Sequence, residues 1–142
     1  MTEEKDLWLR DAALSYGLLR LALGLNISFH GVVRWAAGLR NFPESLLPIF
    51  QKTPLPACSV YSFGCVLPIV EALVGACVLF GFQNKRALIS GSVLMLVLTF
   101  GSALRQDWPT VGIQLMYSLV YSLLFTGTRL NSYSIDSCLR SS

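Results

Sequence analysis

Four ionisable side chains stand inside long apolar stretches of this sequence. They are Arg20, His30, Arg34 and Glu71, in a chain that is 54% hydrophobic and only 13% charged. Inside a membrane such groups face protein or water, because exposing a charge to lipid costs several kcal/mol. The chemistry open to them is ion pairing, hydrogen bonding to a bound polar group, or proton transfer. Which of these occurs depends on how the surrounding elements bring the side chains together.

Arg20 and Glu71 are predicted to meet as a buried ion pair. Arg20 lies nine residues after Asp11, and Glu71 lies ten residues before Gly81. If Asp11 and Gly81 mark the same membrane surface, antiparallel packing places the two charges at nearly the same depth. An unpaired charge at that depth would be costly, so pairing is the simplest arrangement. Two roles stay open for the pair: a structural clasp, or a part in a proton relay or ligand site.

A second polar group gathers towards the other end of the apolar stretches. His30 and Arg34 lie late in the first stretch, whereas Gln114, Tyr117 and Tyr121 share one face of the last at i, i+3 and i+7. His30 lies four residues from Arg34 and Gln114 lies five from Pro109, so at 1.5 Å per residue both lie about 6–8 Å below the same surface. His30 is then either a ligand-binding residue or a structural one that orients a neighbouring helix.

These residues must be positioned by membrane-spanning helices. Four apolar stretches, over residues 12–39, 58–82, 87–104 and 110–127, approach the roughly 20 helical residues that a bilayer core requires. A cleaved signal peptide is the alternative for the first stretch, but it is too long for that role. The short connections after the second and third stretches favour antiparallel neighbours. The sequence therefore predicts one all-α domain over 1–142, an integral membrane four-helix bundle with up-down-up-down topology.

The first predicted helix carries a regular pattern of small residues. Four glycines recur at intervals of seven: Gly17, Gly24, Gly31 and Gly38. This spacing makes a stripe along which a second helix packs closely, although chance occurrence in a glycine-rich membrane protein is the alternative. An arc of about 80° beside the stripe carries four polar residues: Tyr16, Arg20, His30 and Arg34. This flank is expected to face the bundle interior.

The connections between helices give the orientation and one further element. On the side of the termini, the basic residues outnumber those on the other side by six to four. The six are Lys5, Arg10, Lys85, Arg86, Arg129 and Arg140, and the four are Arg34, Arg40, Lys52 and Arg105. This bias predicts that both termini lie in the cytoplasm. The longer first loop contains a mixed apolar and polar segment, 42–50, that is expected to lie as a short interfacial segment over the bundle mouth.

Composition excludes several other classes of protein. Eight acidic and eleven basic residues are too few to coat a soluble domain of 142 residues. The net charge of +3 is too small and scattered to indicate nucleic-acid binding. The four cysteines form no C-x-x-C pair, so neither a zinc site nor a redox dithiol is expected. We therefore expect no metal site and no nucleic-acid partner; the expected surroundings are the lipid bilayer.

Several short motifs resemble those of the DoxX-like membrane proteins, a family that includes a subunit of thiosulfate:quinone oxidoreductase. The stretches 19–24 and 30–34 resemble the family's R-L-x-L-G…H-G-x-x-K pattern, with Arg34 where lysine is usual. The stretches 71–75 and 79–81 are similar to E-x-x-G-G…L-x-G, with valine in place of the first glycine of that pair. The stretch 133–136 resembles the tail motif Y-S-x-D. The resemblance covers residues from about 16 to 136.

The resemblance implies a four-helix inner-membrane protein, often an accessory subunit beside a redox enzyme and sometimes linked to quinone. It does not imply that this chain catalyses a reaction alone, and one histidine cannot ligate a haem from both sides within a monomer. In a first hypothesis the bundle holds a quinone near the outer surface. His30, Gln114 and Tyr117 would then hydrogen-bond the quinone carbonyls, and Arg34 would favour its anionic reduced form.

A second hypothesis makes the bundle a non-catalytic membrane scaffold or small-solute carrier. The Arg20–Glu71 ion pair would then act as its internal lock. In either case a redox enzyme subunit or a second copy of the chain is the expected protein partner. No residue is assigned a catalytic role at this stage.

Overall fold

The computed structural model of the chain describes residues 2–38 and 40–141. Residue 39, at the end of the first predicted span, lies outside the described residues. Six α-helices and a short 3-10 helix follow one another, and the described residues contain no strand. Their bounds are α1 (Thr2–Ala36), α2 (Asn41–Phe50), α3 (Ala57–Phe80), α4 (Asn84–Leu104), α5 (Trp108–Thr126), the 3-10 helix (Thr128–Leu130) and α6 (Ile135–Ser141).

Four of these helices, α1, α3, α4 and α5, are long and apolar enough to cross a membrane. Each successive pair packs together as antiparallel neighbours, and α1 with α3 forms the most extensive contact. Large apolar side chains such as Phe29, Leu96 and Met116 point outwards and are more than half exposed. In water this surface would be unfavourable, whereas in a bilayer it contacts lipid. The prediction of an all-α membrane bundle is confirmed.

The glycine stripe sets the register of α1 against α3. A Cβ atom at Gly24 would collide with the backbone of Leu79, and one at Gly31 would collide with Pro68 and Ala72. Gly75 of α3 reciprocates by lying against Ser28. The backbones therefore approach as closely as small residues allow, which strengthens packing in an apolar solvent.

The other two glycines of the stripe have different surroundings. Gly17 faces the side chain of Tyr133, and Gly38 follows the end of α1 with φ +108°. That left-handed backbone favours glycine over any residue with a Cβ atom. Two of the four glycines thus serve helix packing against α3, and the last one lets the chain turn.

The N-terminal part of α1 extends beyond the bundle. Side chains from Glu3 to Asp11 are all exposed, and the first buried residues are Ala13 and Tyr16. Tyr16 lies level with the far end of α5, because it packs beside Gly127. At 1.5 Å per residue, the preceding 14 residues project by about 20 Å. The observed helix thus begins ten residues before the predicted span. Residue 12 therefore does not mark the end of the bundle, as the prediction assumed.

Helices α1 and α2 together line the length of α3 as one discontinuous element. Gly31 is level with residues Pro68 to Ala72, so α1 ends near residue 65 of α3 and about 12 Å short of the level of Ala57. Helix α2 fills this remaining stretch. Its buried Pro43 lies against Gly64, and its last turn lies beside Val60. The segment 42–50 is therefore helical but packs alongside α3 instead of lying over the bundle mouth.

The contact of α4 with α5 completes the core. Tyr121 of α5 is fully buried with its ring against Gly91 of α4, where a Cβ atom would collide with it. Residues buried together with it include Leu88, Leu94 and Leu124. At the connection between α4 and α5, Asp107 caps α5 by accepting from the backbone N–H and the hydroxyl of Thr110.

Candidate functional site

A buried ion pair lies at the break between α1 and α2. The guanidinium of Arg34, in the last turn of α1, donates to both carboxylate oxygens of Glu71 on α3. Only 4% of the Glu71 side chain is exposed, against 29% for Arg34. The same guanidinium lies 4.8 Å from the ring centroid of Phe42 at the start of α2. Arg34 therefore connects three helices through charge and cation–π attraction.

Arg20 does not pair with Glu71, so that prediction is wrong. Its guanidinium donates to the backbone carbonyls of Val78 and Leu79 at 2.8 and 2.9 Å, and to that of Tyr133 at 2.6 Å. Val78 and Leu79 lie in the last turn of α3, where carbonyls lack the usual helical donors, and that of Val78 also accepts from the backbone N–H of Gly81. A cation at a helix C-terminus is also favoured by the helix dipole. Arg20 is thus a buried cap of α3 that reaches the C-terminal segment.

The register between α1 and α3 explains the different pairing. The close approaches of Gly24 to Leu79 and of Gly31 to Ala72 place Arg20 level with the end of α3 and Arg34 level with Glu71. Counting inward from Asp11 failed because α1 extends past the bundle, so Asp11 marks no common surface with Gly81. The glycine spacing predicted the close contact, but only the observed pairing of Gly31 with Ala72 identifies Arg34 as the partner of Glu71.

The segment after α5 closes the end of the bundle near Arg20. Gly81 ends α3 in the left-handed conformation, with φ +64°, and Ser134 lies directly against it. The carboxylate of Asp136 accepts from the backbone N–H groups of Gln83 and Asn84, both at 2.8 Å, and so caps the start of α4. These contacts were not predicted from the sequence. The tail motif at 133–136 was their one visible signal.

A shallow groove of about 360 Å³ lies on α1 just before the break. His30 and Arg34 line it, with Asn26, Phe29 and Val33 beside them. His30 is exposed, although it belongs to a helix that crosses the membrane. Because a polar ring facing bare lipid is unfavourable, this part of α1 calls for a polar group or a protein to cover it.

Tyr117 and Gln114 are placed differently with respect to this groove. The hydroxyl of Tyr117 donates to Oδ1 of Asn26 at 3.0 Å, so Tyr117 lies at the edge of the groove. Gln114 is at the depth of His30, since these residues lie three and four positions from the Tyr117–Asn26 contact. Its side chain turns away, however, and donates to the hydroxyl of Ser102 on α4 at 3.0 Å. His30, Arg34 and Tyr117 are thus brought together, and Gln114 is not.

Several polar atoms of the long helices are buried without a hydrogen-bond partner among the described residues. They include the hydroxyls of Ser28, Thr99 and Tyr121 and the amide oxygen of Gln114. Ser28 lies against Gly75, one helical turn from Glu71. Buried polar atoms normally have a hydrogen-bond partner. These atoms therefore offer hydrogen-bonding positions in the bundle interior for water or for a polar group of a ligand.

Within residues 2–38 and 40–141, no group of three His, Cys, Asp or Glu side chains is placed to hold a metal ion. Comparisons of the chain with protein-family models, with curated proteins and with solved structures find no match. Function must therefore be inferred from the contacts described above.

Proposed function

We propose that the chain is a DoxX-like inner-membrane subunit that binds the headgroup of a lipid-soluble quinone in the groove on α1. The observation that supports this most directly is the exposed imidazole of His30 in a membrane-crossing helix, next to Arg34 and Asn26. The groove opens on the outer surface of the bundle, so a ligand dissolved in the bilayer reaches it sideways. A quinone pairs an apolar ring with two carbonyl acceptors, and such a ligand suits an apolar groove with few polar groups.

The residues present fit such a headgroup in part. The ring N–H of His30 and the amide of Asn26 are available to donate to carbonyl oxygens, and Phe29 and Val33 supply the apolar wall. Tyr117 holds Asn26 in place through its 3.0 Å hydrogen bond. Because Glu71 neutralises the charge of Arg34, Arg34 would line the groove without adding a net positive charge to it. A bound quinone would supply the electron-accepting chemistry.

In this proposal the chain serves a redox enzyme as an accessory membrane subunit, with both termini in the cytoplasm. Measured along α5, the groove then lies in the outer half, since Gln114, at the depth of His30, is the seventh residue of α5. Reporter fusions test the orientation. Residue 142 and the connection between α1 and α3 are expected on opposite sides, and finding them on the same side would contradict the topology.

Quinone retention tests the groove directly. The wild type, His30→Gln and His30→Leu are purified in mild detergent, loaded with a long-chain benzoquinone or naphthoquinone, and washed. Bound quinone is measured per folded protein by its absorption after extraction. Both His30 variants are expected to lose at least about three quarters of the retained quinone, because the donor to the carbonyl is missing or misplaced.

A matched control separates a specific site from general lipid solubility. Phe100→Leu changes an exposed apolar side chain of α4, outside the groove, and is expected to retain quinone as the wild type does. Normal melting temperatures with reduced retention support the site. Wild-type retention in both His30 variants, or equal loss in Phe100→Leu, would refute it.

A small-solute carrier is the second candidate, and the discontinuous α1/α2 element favours it. Broken helices beside a buried charge are a common way to build solute sites near the membrane midplane. Here the break lies beside the Arg34–Glu71 pair. Proteoliposomes that accumulate a polar solute in the wild type but not in Glu71→Gln would favour the carrier over the quinone subunit.

A further inference from the structure

A polar cavity of about 620 Å³ lies at the end of the bundle opposite the groove. It is open to the surface and is bordered by the first turn of α4, the 3-10 helix after α5, Asn131 and the helix α6. Three cationic side chains line it, namely Lys85, Arg86 and Arg129, together with the carboxylate of Asp136. The cavity therefore lies where α4 begins and α5 ends, at the depth of lipid headgroups in a membrane.

The positive charges of this cavity are not neutralised by the part of the chain that the structure describes. Neither described ion pair involves Lys85, Arg86 or Arg129. Arg86 donates to the neutral side-chain oxygen of Gln83 at 3.0 Å. Asp136 is committed to the backbone N–H groups at the start of α4. The lining thus carries an excess of two positive charges.

Lys85 contributes its charge from the rim of the cavity. Its amino group lies 5.8 Å from the ring centroid of Phe125, a contact that uses none of its three N–H donors, and it forms no ion pair within the described part of the chain. Arg129 is exposed at the 3-10 helix and belongs to a different segment from Arg86. Cations from separate segments that converge on one cavity form a better anion site than a run of adjacent surface charges.

Two buried acceptors add a second requirement. Asn84 and Asn131 both line the cavity, and each has a buried side-chain oxygen without a hydrogen-bond partner among the described residues. The Asn84 amide is fixed, because its NH₂ group donates to the hydroxyl of Tyr16 at 2.7 Å. A ligand that satisfies these oxygens must offer O–H or N–H donors as well as negative charge.

We propose that this cavity binds a phosphate group that also carries hydroxyl donors. Hydrogen phosphate in solution and the glycerol phosphate headgroup of an anionic phospholipid share this chemistry. Arg86 and Arg129 bind the phosphate oxygens, while Asn84 and Asn131 accept from the hydroxyls. The site is independent of the proposed quinone groove, which lies on α1 at a distance from this end of the bundle.

Ligand-induced stabilisation of the full chain tests the proposal. Delipidated protein in detergent is titrated with phosphatidylglycerol, phosphatidylcholine, sodium phosphate and sodium sulfate, and the apparent melting temperature is recorded. The double variant Arg86→Gln/Arg129→Gln removes two cations of the cavity. Lys5→Gln/Arg10→Gln is the matched control, since it removes the same charge from the exposed projecting part of α1. Arg129→Gln alone covers the case in which the double variant does not fold.

Phosphatidylglycerol or phosphate is expected to stabilise the wild type at a concentration at least about tenfold lower than the cavity variant requires. The control variant should behave as the wild type does. Stronger stabilisation by phosphatidylglycerol identifies the lipid as the source, and stronger stabilisation by phosphate identifies the soluble anion. Phosphate should exceed sulfate, which has no hydroxyl at neutral pH. Equal binding in wild type and cavity variants, equal loss in the control, or equal stabilisation by phosphatidylcholine would overturn the proposal.

Discussion

The Arg34–Glu71 ion pair gives the sharpest test of how this bundle is held together. In Arg34→Leu the carboxylate of Glu71 stays buried, because only 4% of its side chain is exposed and α1 still covers it. It loses both guanidinium hydrogen bonds at once. The contact of Arg34 with the ring of Phe42 is lost as well, so α2 loses an attachment to α1.

The size of the effect follows from burial and charge. Two opposite charges about 4 Å apart attract by about 4 kcal/mol at an effective dielectric constant of about 20. Removing one partner of a buried pair typically costs about 3–5 kcal/mol. The Arg34 side chain is 29% exposed, so water screens part of the attraction and the lower end applies. We expect Arg34→Leu to lower the free energy of unfolding by about 3 kcal/mol, or about 10 °C in melting temperature for a chain of this size.

A double-mutant cycle in detergent measures the pairing itself. The proteins are the wild type, Arg34→Leu, Glu71→Leu and the double variant, and the readout is the apparent melting temperature together with the yield of monodisperse protein. The double variant should be more stable than Arg34→Leu, since it has no buried unpaired carboxylate. A coupling of at least about 1.5 kcal/mol is expected for residues in direct contact.

Arg20 provides the control for this cycle. Arg20→Leu should also destabilise the protein, because three backbone carbonyls lose a donor. Combining it with Glu71→Leu should not restore stability, since the two residues share no contact and their effects should add. Rescue of Arg20→Leu by Glu71→Leu, or a coupling near zero between Arg34 and Glu71, would refute the register described here.

Three further predictions concern helix packing, helix capping and pH. Gly31→Ala should destabilise the protein by about 1–3 kcal/mol, because the added methyl group overpacks the contact with α3. Gly112→Ala is the control and should be nearly neutral, because its Cβ atom would meet nothing within 4 Å. Equal melting temperatures of the two variants would contradict the close approach of α1 and α3. Asp136→Ala should cost about 1 kcal/mol through the lost cap of α4, measured as the same shift in melting temperature. Hydrogen bonds from Thr110 lower the pKa of Asp107, so the stability that this carboxylate contributes is present above about pH 4 and is lost as the pH falls through its native pKa. Asp107→Asn should therefore weaken the drop in melting temperature at acid pH. An unchanged pH profile of the melting temperature would contradict this.

Features that depend on local pattern could be predicted from the sequence. The four membrane-crossing helices follow from apolar stretches of sufficient length, and they are observed as α1, α3, α4 and α5. The seven-residue spacing of Gly24 and Gly31 predicted a close helix contact, and both glycines meet the backbone of α3. Such features need no knowledge of which residues lie opposite each other, because a period of small or apolar residues is sufficient.

Features that depend on register between helices could not be predicted by counting from assumed membrane surfaces. Arg20 was matched with Glu71 because α1 was taken to begin near residue 12, whereas it begins at Thr2. That error of ten residues is about 15 Å along the helix, nearly three turns, and it is large enough to match Glu71 with Arg20 instead of Arg34, which lies 14 residues further along α1. The direction of a side chain around its helix could not be predicted either. Gln114 lies at the depth of His30, as expected, but its side chain faces Ser102 on α4.

The break between α1 and α2 explains why the ion pair and the groove occur together. A helix leaves its last carbonyls without donors of its own, and just past the end of α1 the side chain of Asn41 donates to the carbonyl of Ala37 at 2.6 Å. Arg34, in the last turn of α1, adds positive charge at the negative end of the helix dipole and is balanced by Glu71. The polar residues at the end of α1 thus form a polar region beside α3. His30 extends this region by one turn to the exposed surface of the bundle, which is why the proposed quinone groove lies there.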